Sequence, residues 1–184
     1  MIQKHDLSFW EFLTSTTTLT IAIAGINSSN KLIICSIFMV LSLGISLLTQ
    51  IKYGRKNALS ILIASVTLHT LIMIFMGHHI YLYSFIPFGC ACFASGIRFE
   101  KLYTSQKYSV PMMIFLSLVS GILVDGLLIA PWEGFHFGFD KLPNIVFRSF
   151  SFKTLYAGLL SVLIFCVYDF KAGHVRFFQN LKDL

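Results

Sequence analysis

The chain has 184 residues, of which 56% are hydrophobic and 12% charged, with a formal charge of +6 and a mean hydropathy of +0.78. A soluble domain carries about 25% charged residues, so the composition excludes a soluble globular domain and leaves a helical membrane protein. The positive charge does not point to nucleic acid, because the lysines and arginines fall between apolar runs, where membrane proteins carry their topology signals.

A helix that crosses a bilayer needs about 20 apolar residues. Runs of that order are predicted at about 9–26, 32–51, 58–77, 80–97, 110–131 and 150–169, an all-α bundle of six transmembrane helices in one integral membrane domain over 1–184. The first run is the weakest, with Glu11 and the hydroxyl-rich stretch Thr14 to Thr18. Its end, Ala22-Ile23-Ala24-Gly25, resembles a signal-peptidase site, but Asp6 and Glu11 do not suit a basic leader region, so a retained span is expected. The second and third runs meet at a basic turn, Lys52 to Lys56. His69 in the third reads as a packed core histidine rather than a proton carrier. Gly77-His78-His79 makes the third and fourth runs a tight hairpin. Pro87 lies inside the fourth, where it predicts a kink and a freed carbonyl. Cys35, Cys90, Cys92 and Cys166 all lie in apolar runs without a C-x-x-C spacing, and read as small packing residues.

The fifth run, MMIFLSLVSGILVDGLLIAP, carries one charge, Asp125. A carboxylate at membrane depth costs at least ~2.5–3.5 kcal/mol, so Asp125 is expected to face the bundle interior. Lys153 in the sixth run is its candidate partner, both within about 10 Å of the outer surface on these boundaries. Gly121 and Gly126 flank the acid and allow close approach of a helix or a ligand. Beyond it, Pro131 to Asp140 is aromatic, glycine-rich and acidic. That segment reads as an interfacial aromatic belt or, more sharply, as a re-entrant lid. His78, His79 and His136 would meet there beside Glu133 or Asp140, but no histidine pair has helical metal-ligand spacing, so no metal site is expected. With both termini cytoplasmic, inner segments hold ten Lys and Arg and outer segments three, Lys31, Lys141 and Arg148, which supports an even number of spans. Glycine-rich phosphate loops, H-E-x-x-H and G-x-S-x-G are missing, so neither an enzyme nor a cofactor is expected.

Two sets of residues carry a family resemblance. The first is Ser28-Ser29-Asn30-Lys31 followed by Tyr53-Gly54-Arg55-Lys56-Asn57-Ala58. The second is Ser117, Gly121 and Asp125, then Phe152-Lys153; SFIPFGCACFASGIRFEKL adds to both. In this order, over roughly 9–169, the chain resembles the queuosine precursor transporter family of bacterial inner-membrane proteins, the vitamin uptake transporter group. It departs from that family where Leu47-Leu48-Thr49-Gln50-Ile51 lacks an acid, where Ser95 replaces an acid and where Met113 replaces an arginine, so it reads as a divergent member. The resemblance implies import of a 7-deazaguanine, such as preQ0, preQ1 or queuine, across the inner (plasma) membrane. The candidate substrate-binding residues are Asp125, Lys153, Asn30 and Ser117 from these motifs, with Arg148 and Trp132 of the outer segments. One carboxylate accepts two hydrogen bonds from a guanine-like N–H edge, and such charge-assisted bonds are strong. The expected partners are a small-molecule solute and the lipid bilayer, with a homodimer or a separate energising partner compatible with so small a bundle. The competing readings are a membrane-embedded binding subunit that needs that energising partner, a structural or assembly protein of the membrane, and a membrane enzyme.

Overall fold

The computed structural model describes residues 7–28, 32–76, 85–105 and 107–172. They form five helices: α1 (Phe9–Ser28), α2 (Leu32–Phe75), α3 (Phe85–Ser105), α4 (Val110–Phe137) and α5 (Leu142–Ala172). No strand occurs among them.

The start of α1 explains why Glu11 is tolerated in an apolar run. The Ser8 hydroxyl accepts the Glu11 N–H (3.3 Å) while the Glu11 carboxylate accepts the Ser8 N–H (3.2 Å). This reciprocal capping box satisfies two backbone donors that a helix start otherwise leaves open. The threonines that follow do not interrupt the helix. Thr14, Thr17 and Thr18 each donate to the carbonyl one turn back, at 2.7–2.8 Å, so their hydroxyls are satisfied locally. Two further hydrogen bonds tie α1 to the second half of α2: Ser65 donates to the Thr16 carbonyl (3.1 Å) and Thr20 to the Ser65 carbonyl (3.4 Å).

α2 has 44 residues. As one straight rod it would run about 66 Å, twice the ~30 Å hydrocarbon layer. It is broken at Gly54, whose φ of 80° and ψ of 165° are not helical. A side chain at positive φ meets the following carbonyl, which makes glycine the natural residue there.

Three helical stretches, Ile33–Phe75, Val110–Phe137 and Leu142–Cys166, are long and apolar enough to cross a membrane, against the six spans the sequence predicts. The difference has three sources. α2 runs through its break as one element, the hydroxyls and Glu11 lower the apolarity of α1, and Arg98, Glu100 and Lys101 lower that of α3. The ends also shift. α4 continues through Pro131 to Phe137, and α5 begins at Leu142, well before position 150. Pro131 to Phe137 is therefore helix rather than a re-entrant lid. Pro87 is buried in the first turn of α3, where a missing N–H costs nothing and no kink is required. The Gly77-His78-His79 turn lies outside the described residues.

An apolar core holds a set of buried polar groups, and the outer surface is apolar too. Ser36, Ser42, Ser65, Ser95, Ser117, His69 and Asp125 are buried, while Ile63, Leu127, Phe147, Leu159 and Leu163 stand more than half exposed. Water would not tolerate that outer surface, but a bilayer supplies no penalty for it. Small residues let the helices touch. A β-carbon at Gly121 would sit 2.8 Å from the Ala91 carbonyl oxygen, and one at Gly44 2.6 Å from Leu160. The first contact locks α4 on α3; the second locks the first half of α2 on α5.

Candidate functional site: a buried ion pair in an apolar cavity

α4 presents one stripe to the interior at four-residue spacing: Asp125, Ile129, Glu133 and Phe137. α5 answers with Ile145, Ser149 and Lys153. Residues four apart share a helix face, so each helix offers a line rather than a point. Between them and the ends of α1, α2 and α3 lies a cavity of about 430 Å³. Ile23 and Ile26, Cys35, Ser36 and Met39, and Phe85 and Phe88 complete its wall. The Cys35 thiol donates to the Ile26 carbonyl (3.3 Å), and His69 packs edge-on against Phe85 with ring centroids 5.4 Å apart.

Lys153 Nζ donates to Asp125 Oδ2 at 2.8 Å, with only 12% and 5% of the two side chains exposed. Asp125 thus faces inward and has the partner expected of it. No described residue donates to its second oxygen, Oδ1, which leaves an acceptor on the cavity wall. The pair lies further from the helix ends than the sequence boundaries place it. Asp125 is twelve residues before Phe137 and Lys153 eleven after Leu142. At about 1.5 Å per residue, both sit about 17 Å along their helices from the α4–α5 turn. The matching depths on antiparallel helices are what let the two side chains meet.

The remaining sequence candidates do not join this pair. The Ser117 hydroxyl is buried two turns away and donates to the Met113 carbonyl (2.6 Å). Arg148 is exposed and outside the cavity wall, and Trp132 packs on His136 at 4.8 Å, also outside it. Asn30 lies outside the described residues. Glu133, which the sequence offers only beside a possible metal site, lines the cavity on the Asp125 stripe. Its i+8 spacing from Asp125 was the available signal. Among the described residues no three His, Cys, Asp or Glu side chains gather as a metal-ligand group; His78 and His79 lie outside those residues.

The opposite end of the bundle is closed by polar contacts around Gly54. Lys52 pairs with Glu11 of α1 at 2.9 Å and donates to the Tyr53 hydroxyl at 2.6 Å. Arg55 pairs with Glu100 of α3 at 3.7 Å and lies 4.5 Å over the Phe93 ring. Gln50 donates to the same Glu100 carboxylate at 2.8 Å and fills the space left by Gly96. The break in α2 is thus fastened to α1 on one side and α3 on the other.

No family model, curated protein or solved structure matches this chain.

Proposed function

We propose that this protein is a small polytopic importer of the cytoplasmic membrane whose solute is a purine-like base, probed first with 7-deazaguanines. The observation that carries the reading is the Asp125–Lys153 pair on the wall of a cavity of about 430 Å³. Solute pockets run about 300–1,000 Å³, mostly apolar with a few placed polar groups. The free Oδ1 acceptor and the Lys153-bonded Oδ2 give one polar edge, and Phe85, Phe88 and Phe137 give flat apolar surface for a heterocycle. In this reading α2 contributes two spans joined at Gly54, which makes six in all. The loop charges then put both termini in the cytoplasm and the cavity on the outer side. The contacts of Lys52 and Arg55 form the inner closure, and inward release requires them to part.

The test is accumulation of a labelled 7-deazaguanine base in proteoliposomes holding this chain alone. Saturable uptake, lost in Asp125→Asn, supports the proposal. Uptake only after an ATPase partner is added would make the chain a binding subunit instead. Failure of every nucleobase to enter would sink the purine assignment.

A further inference from the structure

The Asp125–Lys153 pair leaves one acid over. Glu133, two turns along the same stripe, makes no hydrogen bond and no ion pair with any described residue. Glu133, Ile129, Ser149 and Lys153 line the central cavity, and the same four line a second cavity of about 320 Å³ on the far side of that wall. This second space is a crevice between α4 and α5, walled by Leu127, Pro143 and Phe147. It opens away from the bundle: Leu127 is 74% and Phe147 71% exposed. Its floor runs past Gly126, where a β-carbon would meet nothing within 4 Å. α4 and α5 are both apolar enough to cross a membrane, and in one the exposed Leu127 and Phe147 at the crevice mouth would meet hydrocarbon.

The charges at its inner end do not balance. Two carboxylates stand against one ammonium, and Asp125 already holds that ammonium at 2.8 Å. Glu133 shares the Lys153 charge only at longer range, and a carboxylate at an apolar boundary is costly and calls for a closer counter-charge. We propose that the α4–α5 crevice binds a membrane-dissolved organic cation, a primary amine on a hydrocarbon chain. The chain lies along Leu127, Pro143 and Phe147, and the ammonium sits on the Glu133 carboxylate beside the Ser149 hydroxyl. A fatty acid would bring a third negative charge to the same place, and an alcohol would bring a hydrogen bond without a charge. The inference does not rest on the purine reading, which uses the Asp125 face of the wall.

The experiment uses the full chain in phosphatidylcholine nanodiscs, with radiolabelled dodecylamine, scintillation-proximity detection and protein-free nanodiscs as the blank. Unlabelled dodecylamine, dodecanol and dodecanoate compete for the site. Dodecylamine should win over dodecanol by about tenfold or more, the order expected of one close charge pair. Glu133→Gln should erase that preference without lowering its thermal stability. Gly126→Leu, which fills the crevice, should weaken dodecylamine about tenfold, and Gly126→Ala should weaken it less. Equal competition by all three chains means partitioning without a site, and overturns the proposal. So does a strongest effect from dodecanoate, which would place the head on Lys153, or a Glu133→Gln chain that keeps the parent's preference. Binding of 7-deazaguanine by Asp125→Asn is measured in parallel, so that loss of the purine reading and loss of this one give different patterns.

Discussion

Two lysine–carboxylate pairs in this molecule have nearly the same length and opposite settings. Lys153 meets Asp125 at 2.8 Å with 12% and 5% of the side chains exposed; Lys52 meets Glu11 at 2.9 Å with 53% and 38% exposed. Distance therefore does not tell them apart. The exposed pair lies where water and salt screen it, and Glu11 already has work in capping α1. The buried pair has only its partner and the cavity, so each charge depends on the other.

Breaking that dependence should give the largest effect. Asp125→Asn or Lys153→Met alone leaves one buried charge uncompensated and should cost about 3–5 kcal/mol in a reversible unfolding titration. The double variant should recover most of that loss, a non-additivity that independent sites do not produce. A smaller effect belongs to the helix crossing beside the pair. Gly121→Leu drives a side chain into the Ala91 carbonyl and should cost about 1–3 kcal/mol, whereas Gly126→Ala, with open space around it, should leave the melting temperature unchanged. Gly54→Ala meets no neighbour within 4 Å, so only the backbone at positive φ resists it, at about 1–2 kcal/mol. The smallest change is expected at the exposed pair: Glu11→Gln keeps a hydrogen-bonding side chain at the cap, and its melting temperature should match the parent's. If Glu11→Gln proves as damaging as Asp125→Asn, burial is not what separates the two pairs.

Much of this was legible in the sequence because a membrane punishes charge. A single acid in twenty apolar residues had to face inward, and a lysine in the adjoining run was its available partner. The helical class and the order of the elements followed from the same apolar runs. The helix ends were not legible. Pro131 marks a terminus by its lost hydrogen bond and its clash with the i−4 carbonyl, yet the helix runs on through it to Phe137. Pro143 was the overlooked signal for the start of α5, since proline suits a first helical turn. Those ends moved the pair further from the helix termini and brought Glu133 onto the stripe. Ser117 came from family resemblance and Arg148 and Trp132 from the outer segments rather than from helix faces, and the cavity wall does not include them. The Ser8–Glu11 capping box was readable as S-x-x-E, and it turns Glu11 from a flaw in a span into the start of a helix.

The central claim is that Asp125 receives the solute. It is tested most directly by the thermal stability of the detergent-purified chain with a 7-deazaguanine base, parent beside Asp125→Asn. The amide keeps the side chain's size but replaces one acceptor oxygen with a donor, so it cannot accept both N–H groups of a guanine-like edge. At a hundred times the dissociation constant the parent should gain about 2.7 kcal/mol, and Asp125→Asn should gain nothing. Equal stabilisation of both chains, or none of the parent by any nucleobase, would contradict the claim.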